Sequence, residues 1–218
     1  MSSKIFKPSG LPPRRDGGKR ETEAWFGRHS IHEDSRTAGT ADWQEFESVL
    51  FYDRNNNESR YTPTVLDSHE ICNWNENLSD IEGETTMGVW EMYHKIPVLT
   101  NRHFTVLAVT RRLSNDTYIT VKLPVEDIPS KQKYSSAVPG RYVSVERVDS
   151  VGDRVKWDMI TASDAGGWIP GVLQRKQVPG EIAKDVGFVI QYIEGKRKSV
   201  DGGNDGVNPS ATLKGIYH

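Results

Sequence analysis

The sequence predicts an α+β protein in which a curved antiparallel sheet wraps around one long C-terminal helix, with short helices covering one end. Three observations carry this. Over residues 179–194, Ile182, Val186, Val189, Ile190 and Ile193 recur at steps of four, three, one and three, which gathers them into one apolar stripe at about 3.6 residues per turn. Upstream, segments 89–96, 104–112, 118–123, 141–148 and 154–162 are short, extended in character and separated by turn residues, the pattern of an antiparallel meander. Within one of them, Tyr118, Thr120 and Lys122 alternate with Ile119, Val121 and Leu123, so one face of that strand meets a core and the other meets water.

Taken in order, residues 1–21 carry Lys4, Lys7, Arg14, Arg15, Lys19 and Arg20 among prolines and glycines. Such a segment buries too little apolar surface to fold alone and is expected to be a flexible basic tail, with a phospholipid-binding or localisation segment as the alternative. The folded region is expected over 22–195. Residues 24–32 read as a strand that places Phe26, Arg28, Ser30 and His32 on one face, which is either solvated surface or the lining of a cavity. Asp42 and Glu45 have capping-box spacing, and Trp43, Phe46, Val49 and Leu50 follow as an apolar stripe, predicting a helix over 42–53. The polar run 54–59 is expected to break it. Residues 64–74 read as extended and 75–86 as a polar, acidic loop.

The strands that follow end at Pro97, at Ser114–Thr117 and at Pro124, and Gly152-Asp153 joins the last two. In the final helix Pro179 suits the first turn, where its missing N–H would be unpaired anyway, and Gly195 suits a left-handed end. Lys184, Asp185 and Gln191 fall off the apolar stripe. Residues 196–218, with Lys196, Arg197, Lys198, Gly202 and Gly203, are expected to form a flexible tail.

The 218 residues suffice for one sizeable core, and 35% hydrophobic residues with a formal charge of −2 describe an ordinary soluble chain. No global field draws in nucleic acid, and at most transient membrane contact is expected. One cysteine, Cys72, allows no internal disulfide, no apolar run reaches the ~18–20 residues of a membrane span, and the first residues lack a secretory signal. A cytoplasmic location is expected. His29 and His32 fall on opposite faces of a strand, and no cysteine pair or His-Glu-x-x-His is present, so no metal is expected. Phosphate-binding loops and a Gly-x-Ser-x-Gly elbow are also missing, so no cofactor is expected.

Several motifs occur together in one order: Tyr93-His-Lys-Ile-Pro97, Asn101-Arg-His-Phe104 before a long strand, Arg111-Arg112 before a hairpin, and Asp164-Ala-Gly-Gly-Trp-Ile-Pro170 leading into the last helix. In these the chain from Glu91 to Ile193 resembles a START domain of the helix-grip (Bet v 1-like, SRPBCC) superfamily. With Trp25-Phe-Gly-Arg28-His-Ser30-Ile-His32 and Tyr61-Thr-Pro63 it looks like a fungal START-like family of uncharacterised function. The resemblance implies a helix-grip fold whose sheet and C-terminal helix enclose a hydrophobic cavity for one lipid-sized molecule. It also implies a charged ligand anchor on the strand after Phe104, where this chain has Ala108. Polar contacts would then come from Arg28, Glu91 or His94.

His94 shares a strand face with Trp90 and Met92, whereas Glu91 and Tyr93 lie opposite. A buried His94 would stay neutral and serve as a base, as a ligand hydrogen-bond partner, or as a satisfied core residue. The expected ligand wall comprises Trp90 and Met92, then Phe104, Val106, Ala108 and Thr110, then Trp157 and Met159, with Ile182, Val186, Val189 and Ile190 from the helix; core packing is equally open for Trp157 and Met159. Residues 128–139 are the expected gate. The functional expectation is binding of a lipid, sterol or polyketide-type metabolite. The alternative is an enzyme of secondary metabolism, a cofactor-independent cyclase or isomerase, with His94, Arg28 and Glu91 supplying acid–base assistance.

Overall fold

The computed structural model describes residues 2–6, 24–78, 84–96, 100–126, 136–165 and 171–201. The elements run β1 (Ser2–Phe6), β2 (Trp25–Glu33), α1 (Trp43–Leu50), α2 (Arg54–Tyr61), β3 (Val65–Asn73), β4 (Thr85–His94), β5 (Arg102–Ser114), β6 (Thr117–Pro124), the short β7 (Val138–Pro139), β8 (Arg141–Val151), β9 (Arg154–Asp164) and α3 (Gly171–Asp201). The sheet order is β1-β2-β9-β8-β6-β5-β4-β3, with β7 parallel to β5 and every other pairing antiparallel. The predicted meander is the middle of this sheet.

Strands β2 and β3 are consecutive in sequence but lie near opposite ends of the sheet order. The α1–α2 pair has to cross that distance, and this brings α2 over the inner face. Helix α1 starts on the predicted capping box: Glu45 N–H donates to Asp42 Oδ1 at 2.8 Å, and Asp42 N–H donates to Glu45 Oε2 at 3.0 Å. The polar run 54–59, expected to break the first helix, is itself part of a second helix. Asp53 takes a left-handed conformation, φ 51°, which turns the chain. Buried Asn57 then donates to the carbonyls of Ser48, Val49 and Tyr52 at 3.0–3.2 Å, supplying partners at the C-terminal end of α1 that its own ladder lacks.

Helix α3 is longer than predicted at both ends. Pro179 stands inside it rather than at its first turn, where its missing N–H leaves one rung of the ladder open. Gly195 is not among the glycines with positive φ, and the helix runs on to Asp201. The reason is tertiary: Arg197 donates to Glu45 and to the carbonyls of Arg36, Thr37 and Thr40, tying the last turn to the loop before α1. Residues 196–201, expected in the tail, are therefore helical, and Ser2–Phe6, expected in the N-terminal tail, pairs as a strand with β2. Residues 7–21 and 202–218, the Gly166–Pro170 motif residues and most of the expected gate, 127–135, lie outside the described residues.

The predicted helix stripe is buried: Ile182, Val186, Val189, Ile190 and Ile193 are each at most 6% exposed. Val186, Val189, Ile190 and Ile193 join Phe46, Val49, Leu50, Tyr118, Val155 and Trp157 in one packed core. The sheet's inner face is less apolar. In β6, Tyr118, Thr120 and Lys122 point inward and are at most 2% exposed, while Leu123 on the other face is 43% exposed. The outer face carries an apolar row across five strands, Ile160–Val145–Val121–Val109–Met87.

Candidate functional site

Directly paired residues of neighbouring strands share a face, so the register builds the inner wall row by row. One row reads Thr110–Thr120–Glu146–Met159–Arg28 and the next Ala108–Lys122–Ser144–Thr161–Phe26. Ala108 is paired directly with Lys122 of β6. Phe26, Arg28, Ser30 and His32 are all buried, so that face of β2 lines the interior.

Helix α2 supplies the counter-charges. Lys122 Nζ donates to Glu58 Oε2, and Arg54 Nη2 donates to Glu146 Oε1. Trp157 Nε1 donates to the other oxygen of Glu146 at 2.8 Å. The Arg28 guanidinium lies 3.7 Å over the Trp157 ring, with Nη2 3.7 Å from Glu146 Oε2. That is an ion contact beyond hydrogen-bond length, and none of Arg28's three nitrogens has a hydrogen-bond partner among the described residues. Arg28 is 1% exposed.

These charges surround a cavity of about 40 Å³ lined by Arg54, Glu58, Tyr61 and Thr62 from α2 and its end, Lys122 from β6, Tyr142, Ser144 and Glu146 from β8, Trp157 and Met159 from β9, and Asp185 from α3. It holds a few water-sized groups, not a lipid-sized molecule. Tyr142 in that lining packs against apolar and aromatic neighbours. The Tyr142 hydroxyl is 3.7 Å from the Met92 sulfur, its ring is 5.3 Å from that of Phe104, and His94 meets Phe104 edge-on at 5.2 Å.

Burial raises a carboxylate's pKa and lowers that of a base, while an opposite charge does the reverse. Burial pushes Glu58 and Glu146 up, but Lys122 and Arg54 for the first, and Arg54 and Arg28 for the second, outweigh it and hold both below the usual carboxylate value. Lys122 is raised because Glu58 outweighs its burial. For Arg28 burial wins over Glu146 and lowers the pKa. Asp185 makes no hydrogen bond or ion pair among the described residues. Burial pushes it up to about 7, Arg28 pulling it down and Glu58 and Glu146 adding to the rise.

His32 and His94 are both lowered to about 4, first by burial; Arg28 adds to this for His32, and Glu58 opposes it for His94. Between about pH 6.5 and 4 the unfolded chain takes up protons on these rings that the fold refuses, so stability falls as pH falls through that window. Asp185 works in the opposite sense, since between 3.8 and about 7 the folded state holds the extra proton. The two histidines outnumber it. Urea unfolding is expected to show stability declining from pH 6.5 to 4.5, and His94→Gln to remove on the order of 1–2 kcal/mol of that decline; an unchanged profile would mean that His94 protonates freely in the fold.

Of the residues singled out from sequence, Trp157 and Met159 line the cavity. Arg28 stacks on Trp157 behind it, and His94, Met92 and Phe104 stand beyond Tyr142. Val106, Ala108 and Thr110 are buried on the inner face, Trp90 pairs with Val106 on that face, and Ile182, Val186, Val189 and Ile190 lie on the buried stripe of α3. Glu91 is not brought to His94 or Arg28. It is fully buried on the other face of β4, its Oε2 3.1 Å from His69 Nε2 on β3. Arg54, Glu58, Lys122, Tyr142, Glu146 and Asp185 were missed. For Lys122, Tyr142 and Glu146 the one signal available was alternation with apolar residues in β6 and β8, which leaves open which face turns inward. Among the described residues no group of three or more His, Cys, Asp or Glu side chains is placed to hold a metal ion, and no helix is long and apolar enough to cross a membrane.

An antiparallel sheet gripping a long C-terminal helix, with two short helices closing one end, is the START-like helix-grip fold. The chain belongs to the family described as "Protein of unknown function (DUF3074)", whose pattern matches residues 25–193. Among solved structures it is similar to human STARD10, with a TM-score of 0.63 and 14% identity over 98% of this chain and 78% of that one. It is similar also to the human StAR-related lipid transfer protein 5, with a TM-score of 0.60 and 12% identity over 80% of this chain and 77% of that one. A STAR-related lipid transfer protein from Xanthomonas axonopodis gives 0.61 and 14%, over 88% and 93%. No curated protein matches the chain in sequence.

Proposed function

We propose that this protein binds one small molecule with a hydrophobic body, of lipid, sterol or polyketide type, between the sheet and α3. The carrying observation is the cavity with ion-paired walls, one of whose lining residues, Tyr142, packs against Met92 and Phe104, with His94 against Phe104. A protein interior that served only as packing would gain by filling such a space with apolar side chains. Apolar walls with a few fixed polar groups are the usual composition of a small-molecule site. The lipid-transfer names of two of the fold neighbours agree with this reading, although the likeness itself extends to fold. The body of the ligand needs several times the present volume, so binding would separate side chains along the seam between β5, β8 and α3. Transfer of its apolar surface from water, at about 25 cal/mol per Å², would drive this.

The test is extraction of the gently purified protein with organic solvent, mass spectrometry of what is released, and comparison with Ala108→Trp. Ala108 is 4% exposed on the inner face, opposite Lys122, so the indole would occupy ligand space. A near-stoichiometric hydrophobic species lost in the variant supports the proposal. The same species in equal amount from both proteins would place the ligand elsewhere and sink it.

A further inference from the structure

We propose that the outer face of the sheet is the contact surface of a two-fold symmetric dimer of this chain. An antiparallel sheet with one face against a core ordinarily turns its apolar side chains inward, and here the middle strands do the reverse. Thr110, Thr120 and Lys122 are buried on the inner face, while Val109, Val121 and Leu123 stand on the outer one. Among the described residues the helices take the inner face, where Phe46 and Leu50 of α1 and Val186 and Val189 of α3 pack with Tyr118 and Trp157. The outer apolar row continues from Met87 to Trp74, whose N–H donates to the Met87 carbonyl at 2.9 Å. Trp74, Leu123 and Ile160 are 37%, 43% and 45% exposed. A contiguous aliphatic surface of this extent on a folded chain marks an interaction site.

A second copy fits because the face is complementary to itself about the line between β6 and β8. A two-fold axis along that line, parallel to the strands, lays each row over its own reverse. In the apolar row Val121 then opposes Val145, Val109 opposes Ile160, and the long Met87 side chain lies over Gly27, which has none. The adjoining row runs Thr85–Arg111–Ile119–Arg147–Asp158–His29, and the same axis sets Arg111 of each copy against Asp158 of the other. Arg111 is exposed, and Asp158, paired with His29, keeps a side chain 47% exposed. Ile119 comes opposite Arg147, whose guanidinium is held by Asp149, so the arginine stem covers the isoleucine. Two faces that curve away from each other part towards their edges. Valines stand at the centre of the apolar row and Trp74, Met87 and Ile160 towards its ends, where the gap needs longer side chains. Six strands about 4.8 Å apart and three outward rows about 7 Å apart give a planar footprint of about 600 Å². Side-chain relief brings this near the roughly 800 Å² per partner of a standard interface.

Sedimentation equilibrium of the full chain over about 1–200 µM is expected to show monomer and dimer exchanging with a micromolar Kd. Val121→Lys places two like charges at the centre of the contact and should leave a folded monomer, checked by circular dichroism. Arg111→Asp and Asp158→Arg each set like charges together at both symmetric contacts, so each should weaken the dimer at least about tenfold. The two changes combined exchange the charges and should restore it. Both are surface positions, so this charge set decides even if Val121→Lys does not fold. A dimer that Val121→Lys leaves intact has its contact elsewhere and overturns the proposal. Disruption by Val121→Lys and by both single charge changes with no rescue in the combined variant overturns the two-fold register. A monomer over the whole range also overturns the second copy as occupant. Flotation with phosphatidylcholine–phosphatidylserine vesicles, lost in Val121→Lys, would then assign the face to a lipid surface.

Discussion

Glu146→Ala is expected to lower the unfolding free energy by about 3–5 kcal/mol, enough to unfold a marginally stable domain at room temperature. Glu146 is 5% exposed and serves three groups at once: Arg54 through Oε1, and Arg28 and the Trp157 indole through Oε2. Removing it leaves two buried guanidinium groups facing each other across a gap, with the indole N–H unpaired as well. Glu146→Gln keeps the volume and an acceptor for Trp157 and removes only the charge, so its loss should fall between the two proteins. Urea unfolding with a constant slope would measure both. A loss below about 1 kcal/mol in the alanine variant would mean that bulk water reaches both guanidinium groups, and the cavity would then be an open cleft.

Lys122→Met is the second large effect, again about 3–5 kcal/mol, because it strands Glu58 beside the cavity. Here the pH dependence changes sign. In the unaltered protein Glu58 is held below its usual pKa, so its contribution is present above about pH 4.5 and is lost on acidification. Without Lys122 the dominant influence on Glu58 is burial, which raises its pKa, and the variant should regain stability as the pH falls towards 5. A second change, Glu58→Leu, should recover most of the loss by removing the stranded charge. If the double variant is as unstable as the single one, the ion pair is not what holds α2 against β6.

The fold was largely legible in the sequence because its signals are local. A stripe at 3.6-residue spacing, a capping box at Asp42 and Glu45, and turn residues between short extended segments each act within a few residues of themselves. The errors fell where distant partners overrule local propensity. Residues 54–59 read as a helix breaker, yet Asn57 bonds three carbonyls of the preceding segment and holds a second helix in place. Pro179 and Gly195 read as helix ends, yet α3 extends past both, and Arg197 secures its last turn from 152 residues away in sequence.

The site was less legible, for a physical reason. Alternation in β6 and β8 shows that each strand has a polar and an apolar face, but not which of them turns inward. Hydrophobicity alone would bury Ile119, Val121 and Leu123. The opposite choice is stable only because Glu58 and Arg54 descend from α2 onto Lys122 and Glu146, across 64 and 92 residues of sequence. The sequence by itself determined a sheet around a C-terminal helix and the apolar stripe of that helix, since those rest on periodicity. The tertiary structure alone decided that the interior is charged, that Lys122 stands opposite Ala108, that Glu91 is turned away from His94, and that Arg28 has no hydrogen bond among the described residues. Burying a charge is affordable only when a specific partner arrives, and which partner arrives is set by how the chain crosses the sheet.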